Sequence, residues 1–418
     1  MSRADTHSRA PGSGATQLPI LAAAVVIGAG VGMIFPLLAE IQDQFGLSTS
    51  ALGLISGASF LSAVVSGLLL AGLADRGHAR ALLSLGVLAS GGSLIWFAAG
   101  TELWHFLAAR ACEGLAYGAF FPAARKYMVS SDQLAAGREL GRLTSAELGG
   151  LLLGPVIGAS LTAAFSLDVP FIAVGSAATV IGVWLVFTPL PTIPPSPPQP
   201  ALFRSFTMLK RRPIAGAALL SLALYLPVGI YDALWSRYLT DRGASTAFIG
   251  ISLSLYAVPV ILLAPWGGRV SDRFGPIRAS SVALVFIIPM TVLYGLVPWP
   301  VLIAVIAVCE GVPQAVATPG VQAAMVKACH PDEVAAGQGL AGAMNQLGAG
   351  AAALVGPLVY GAFGSAAVFI GIAAVMAAVF AVGVRFSRSD AASGDGVVAT
   401  DVDDPDQPEP DVPLPLGT

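Results

Sequence analysis

Two acidic side chains stand at matching places in long apolar runs, and one of them has a cation a single helical turn away. Arg110, Glu113, Gly114 and Tyr117 belong to the run Arg-Ala-Cys-Glu-Gly-Leu-Ala-Tyr-Gly. On a helix they share an arc of about 100°, so the charge and a smooth glycine surface form one stripe. Glu310 shares its stripe with Gln314 but has Ala307 where the arginine would be. Glu147 and Asp232 are two further carboxylates within apolar runs, Asp232 with Tyr225, Gly229 and Trp235 on its side of the helix. Ionisable groups in such places are costly and are functional-site candidates by default. The chemistry within their reach is the loading and release of a proton, because a carboxyl in a low-dielectric cavity can be neutral in one state and charged in the next. Glu310, lacking the cation, is the better proton carrier of the pair. Tyr and Trp beside a carboxylate also suit a lipophilic cation. The plainer readings are an i,i+3 ion pair that tolerates burial for Arg110 and Glu113, and a polar anchor near the outer helix end for Asp232.

The elements that must position these groups are membrane-spanning helices. Hydrophobic residues make up 56% of the 418 and charged ones only 11%, with a mean hydropathy of +0.79, far beyond what one soluble core requires. A span takes about 20 apolar residues, so the length accommodates about twelve; the runs are too continuous for alternating barrel strands. They fall near 18–38, 49–73, 81–100, 103–124, 142–165 and 169–188, then near 214–236, 246–267, 279–298, 300–324, 336–362 and 365–385. The expected fold is an all-α membrane protein of twelve transmembrane helices in two pseudo-symmetric six-helix bundles. Its parts are an N-terminal segment 1–17, a bundle 18–188, a Pro-rich and basic linker 189–213, a bundle 214–386 and an acidic tail 387–418. Of the 24 acidic residues, eight lie in the tail from Asp390 to Asp411, leaving 16 against 21 basic ones elsewhere. That tail reads as a solvated, disordered segment. Basic residues gather on one face of the twelve-span arrangement, with Arg237 and Arg242 on the other, which places both termini in the cytoplasm of a plasma or inner membrane. Each of the six tryptophans falls at a span end, where indole prefers the headgroup region. Cys112, Cys309 and Cys329 imply no disulfide framework.

An internal repeat organises the spans. An offset of 197 carries Gly53 to Gly250, Asp75-Arg76 to Asp272-Arg273, Cys112-Glu113-Gly114 to Cys309-Glu310-Gly311 and Pro122 to Pro319. After a small insertion, Gly154-Pro155 meets Gly356-Pro357. Halves so related place substrate at their interface near mid-membrane and alternate access by rocking.

The loop after the eighth span, Gly268-Arg-Val-Ser-Asp272-Arg273-Phe-Gly275-Pro-Ile-Arg278, resembles the signature loop of the major facilitator superfamily. Glycines allow the tight turn, while Asp and Arg at a helix end pair with charges or helix dipoles and latch the halves. Its counterpart, Ala71-Gly-Leu-Ala-Asp75-Arg76-Gly77-His-Ala-Arg80, keeps Asp75 and Arg76 but has Ala71 for the first glycine and its second glycine one place early. The latch residues are therefore Asp75, Arg76, Arg80, Gly268, Asp272, Arg273 and Gly275. Arg110, Gly114 and Gly118 resemble the family's pattern in the fourth span. Gly150, Gly154, Pro155 and Gly158 resemble the fifth-span string of its drug and metabolite antiporters, with a looser copy at Gly356, Pro357 and Gly361. The bland reading of such glycines is close helix packing.

The resemblance covers about residues 18–386 and implies a major facilitator fold in a secondary active transporter. The function expected is proton-coupled efflux of small lipophilic or drug-like molecules by antiport, with uptake or facilitated transport of a sugar or other metabolite as the alternative. Arg110, Glu113, Glu147, Asp232, Glu310, Tyr117, Tyr225 and Gln314 are the candidates for proton coupling or the substrate cavity. The expected partners are a small-molecule substrate, protons and the lipid bilayer, without nucleic acid, and the expected state is a monomer. No cofactor is expected, the proton gradient being the energy source. Neither a catalytic nor a metal site is indicated: His-Glu-x2-His, Gly-x-Ser-x-Gly and P-loop patterns are missing, and the four histidines are scattered. The glycines at 28, 30 and 32 follow no strand and read as a packing face rather than a nucleotide loop.

Overall fold

A computed structural model describes residues 13–73, 77–131, 136–190, 207–330 and 333–388. The first half contains α1 (Ser13–Ile34), α2 (Leu38–Phe45), α3 (Thr49–Leu73), α4 (Ala79–Ala98), α5 (Leu103–Ser131), α6 (Ala136–Ala164) and α7 (Val169–Phe187). The second contains α8 (Arg212–Thr240), α9 (Thr246–Phe274), α10 (Pro276–Leu296), α11 (Pro300–Ala328) and α12 (Val334–Arg388). Ten helices among the described residues are long and apolar enough to cross a membrane. The long α12 turns at Gly364, where φ is +77°, and so supplies two passes. Arg110, Glu113, Arg125 and Lys126 lower the hydropathy of α5, which is the remaining pass. The total is the twelve read from the sequence.

Lipid accounts for the surface. Leu69, Phe187, Leu262 and Phe363 are 64%, 79%, 71% and 76% exposed, and side chains of that kind pointing outward all round a bundle must meet hydrocarbon. Five of the six tryptophans join this outer surface. Trp235 departs from the headgroup expectation: it is buried at 2% and packs edge-on against Tyr231 and Tyr294. Its helix lies inside the second bundle, so the end of α8 meets rings rather than headgroups.

Several helices run past the apolar stretches, because chain beyond the lipid keeps helical hydrogen bonds while its charges reach water; α5, α9 and α11 end at Ser131, Phe274 and Ala328. The first span stops early. Pro36 has no amide proton, and the turn at 35–37 starts the short α2, which ends at Gly46 with φ of +61°.

Glycine lets α1 and α6 touch along their backbones. An added Cβ at Gly150 would lie 2.0 Å from the Val25 carbonyl oxygen, at Gly154 2.6 Å from that of Ala29, and at Gly158 2.7 Å from that of Met33. Gly28 and Gly32 answer from α1, where an added Cβ would lie 2.3 Å and 2.5 Å from the carbonyl oxygens of Glu147 and Leu151. The first-span glycines are thus a packing face. Gly150→Leu is expected to prevent recovery of folded protein in detergent, since overpacking already costs about 1–3 kcal/mol where neighbours can yield and a backbone cannot. Gly149→Leu should be tolerated, because a Cβ there meets nothing within 4 Å. Size-exclusion yield of the two variants checks the contrast.

The repeat is visible in the packing. Gly53 on α3 faces the Ala353 carbonyl and the ring of Pro357, whereas Gly250 on α9 faces the Pro155 carbonyl and Ala159. These two contacts exchange repeat partners and join the halves at their seam. Gly356, by contrast, faces Ile230 within its own half.

Candidate functional site

The linker ends, at 190 and 207, and the outer ends of α1 and α12 share one face, here the linker face; the opposite one is the far face. About 10–12 Å in from the far face, by the helical rise of 1.5 Å per residue, α5 and α8 bring opposite charges together. Arg110 Nη1 donates to Glu113 Oε2 at 2.7 Å, and Nη2 donates to Asp232 Oδ2 at 3.0 Å. The first pair is the helical i,i+3 contact read from the stripe. The second joins the two halves, so Asp232 is an interior group rather than an outer anchor. Ser56 on α3 donates its hydroxyl to Asp232 Oδ1 at 3.2 Å. Arg110, Glu113 and Asp232 are each at most 1% exposed, and Arg110 is the only buried Lys or Arg among the described residues. Arg110 Nε and Glu113 Oε1 have no hydrogen-bond partner among the described residues.

Glu310 lies at the repeat position in the second half, with different company. Both carboxylate oxygens accept the Tyr231 hydroxyl at 2.9 Å, and Tyr294 donates to Oε2. Tyr256 packs against Tyr231, with ring centroids 5.9 Å apart. Gln314 is buried one turn further on and makes no side-chain hydrogen bond among the described residues. Sequence reasoning missed the two tyrosines. A signal existed: at the 197 offset they replace Ile34 and Phe97, so two hydroxyls appear only beside the acid that lacks an arginine.

Glu147, deeper toward the linker face on α6, accepts the hydroxyl of Tyr117 from α5. Tyr225 on α8 packs, partly buried, against the core of the second half. Tyr117 and Glu147 thus meet within the first half at mid-depth, whereas Gly229 and Trp235 turn to the second half, Gly229 against the Ala349 carbonyl of α12 and Trp235 against Tyr231.

The latch residues divide. Asp75 and Arg76 lie outside the described residues. Arg80 donates to the Val186 and Thr188 carbonyls at 3.0 Å and 3.2 Å, closing the end of α7 within its own half. Asp272 and Arg273 are exposed and form no ion pair among the described residues, so in this conformation they latch none of them. Gly275 takes φ of +88° between α9 and α10, which accounts for a glycine there. Gly268 is open, and its neighbour Gly267 makes the close approach: an added Cβ there would lie 2.0 Å from the Ala315 carbonyl oxygen.

The halves are instead fastened on the far side. The Ala39 amide donates to Ser236 Oγ at 3.0 Å, Arg237 pairs with Asp43 at 2.6 Å, and Thr246 donates to Glu40. Ser254 donates to the Leu152 carbonyl at 2.7 Å. The Asp43 side chain is 60% exposed, so that pair contributes about 0–1 kcal/mol, whereas loss of one partner from the buried Arg110 layer costs about 3–5 kcal/mol.

Two six-helix bundles that meet on a buried charged layer inside an apolar, lipid-facing surface define a multi-pass membrane transporter, not an enzyme. The chain belongs to the Major Facilitator Superfamily, whose sequence model matches residues 20–237 and 217–402. It is 26% identical over 312 residues to the multidrug resistance protein MdtG of Escherichia coli O17:K52:H18, covering 72% of this chain and 76% of that protein. Among solved structures it resembles a bacterial homologue of the human lysosomal transporter Spinster in an inward-facing, unoccupied conformation. The TM-score is 0.79 at 14% identity, over 91% of this chain and 98% of that one. It also resembles the nucleoside transporter NupG, with a TM-score of 0.73 at 16% identity over 88% and 98% of the two chains.

Proposed function

We propose that the protein is a proton-coupled exporter of small, partly lipophilic molecules that works as a monomer by alternating access in a plasma or inner membrane, with both termini in the cytoplasm. The observation that carries this reading is Glu310, a carboxylate 1% exposed and bonded only to tyrosine hydroxyls among the described residues, with no cation beside it. A buried carboxylate without a positive partner is costly unless it holds a proton or meets a positive ligand. A group of that kind, in a chain whose sequence carries no nucleotide motif, suits a proton gradient as the energy source. Buried Glu113 and Asp232 share a single arginine, so the layer is short of positive charge and favours neutral or cationic solutes over anions. The fifth-span glycine string and the likeness to a multidrug resistance protein support export.

The test is purified protein in liposomes enclosing a pH-sensitive dye, offered drugs, sugars, nucleosides and amino acids. Export coupled to protons predicts substrate-dependent proton movement and accumulation driven by an imposed pH gradient. Solute uptake that ignores the gradient would replace this reading with facilitated transport of a metabolite.

A further inference from the structure

Arg110 is held by two carboxylates, and neither has completed its bond. A guanidinium offers paired N–H groups that match a carboxylate in a fork. Here Glu113 takes Nη1 through Oε2 alone, and Asp232 takes Nη2 through Oδ2 alone. The atoms left over are Glu113 Oε1 and Arg110 Nε, both buried and unpartnered among the described residues. Oε1 would complete a fork on the Nη1–Nη2 edge, where Nη2 has one of its two N–H groups. Nε lies on the edge of the guanidinium that includes Nη2, so it is the donor with which Asp232 could complete a fork of its own. Nη2 has an N–H on each edge, so the donors suffice for both forks; neither is closed, and the placing of the guanidinium between the two acids is what they contest. Space near Glu113 is kept by Gly30 of α1, whose absent Cβ would stand 3.4 Å from Oε1 and 2.9 Å from Leu94 Cδ1.

The two acids belong to different halves. Glu113 sits on the same helix as Arg110 and stays with it however the bundles move, whereas Asp232 rides on α8 and leaves when the far face parts. A guanidinium released by Asp232 is free to turn its Nη1–Nη2 edge onto the free oxygen of Glu113, which offsets the loss of the inter-half bond. We infer that Glu113 is a positioning residue of the transport cycle: it competes with Asp232 for Arg110 and thereby sets the balance between the state closed at the far face and the state open there. The plainer role, an ion pair that merely makes Arg110 tolerable in the membrane, gives both acids the same effect. Competition gives them opposite effects.

This inference rests on the alternating-access part of the proposed function and not on protons or on the direction of transport. Its test accordingly needs no substrate and no gradient. Spin labels at Gln44 and Ala247, two exposed far-face positions on opposite halves, are placed in a background without the three native cysteines, and their separation is measured by pulsed electron resonance in lipid nanodiscs. Asp232→Asn should move the population toward the longer, open distance, and Glu113→Gln toward the shorter, closed one. Each shift is expected to be about tenfold in the ratio of the two states, as for removal of one buried charge partner that differs between them. Asp232→Glu should restore the parent distribution in part. Ser56→Ala loosens Asp232 without removing a charge and should shift the balance in the same direction as Asp232→Asn, by less; it serves if either charge variant fails to fold. Shifts of the same sign for the two acids, or an unchanged distribution in Glu113→Gln, would overturn the inference. Lost proton movement with the two opposite shifts intact would count against the proposed function alone.

Discussion

Arg110→Met is expected to reduce transport to the level of empty liposomes and to lower the thermal midpoint of the purified protein by many degrees. Removing the guanidinium leaves Glu113 and Asp232 facing each other across the seam, with no other Lys or Arg buried among the described residues. Breaking a buried pair from one side costs about 3–5 kcal/mol, because the abandoned charge keeps its desolvation penalty. Here two acids are abandoned at once. The triple variant Arg110→Met, Glu113→Gln, Asp232→Asn separates folding from function. Its neutral layer should regain most of the lost midpoint, since buried ion pairs replaced as a set are often near neutral for stability, while transport should stay absent. A triple variant that still carried solute against a gradient would exclude the charged layer from the mechanism.

Glu310→Gln should have the opposite profile, leaving the fold in place and removing the energy coupling. The amide keeps the shape of the carboxyl and can still accept a tyrosine hydroxyl, so the expected thermal midpoint is close to that of the parent. Proton movement on addition of substrate should vanish, and accumulation against a gradient with it, whereas exchange of labelled for unlabelled solute at equal pH should continue. Tyr231→Phe and Tyr294→Phe each remove one donor from the same carboxylate. Each should cost about 1–3 kcal/mol for the group left underbonded and should alter the pH dependence of transport without abolishing it. Proton movement unchanged in Glu310→Gln would move the coupling role to Glu147, whose Tyr117 contact lies nearer the linker face.

Much of the framework was legible before any coordinates. Twelve passes come from apolar length alone, because a lipid-exposed backbone has to satisfy its hydrogen bonds within each helix. The repeat was readable because each half packs its glycines and prolines at the same points, and the Gly53 contact with Pro357 and the Gly250 contact with Pro155 are the outcome. The i,i+3 spacing of Arg110 and Glu113 predicted their bond for the same local reason. The latch was less legible. Its motif marks a turn that Gly275 makes, but which charges meet at a helix end depends on how the halves are placed in a given state.

What the sequence by itself determined, then, is whatever one helix or one repeat can specify: the number of spans, the stripe bearing Arg110 and Glu113, the glycine faces, and the absence of an arginine near Glu310 at position 307. Only the tertiary structure decided the partners. It drew Asp232 from the second half onto Arg110, set Ser56 behind it, and closed Tyr231 and Tyr294 over Glu310 from two other helices. The physical reason is separation along the chain. A contact between groups 122 residues apart leaves no period in either segment, because periodicity records which side of a helix is turned inward and not which helix stands opposite.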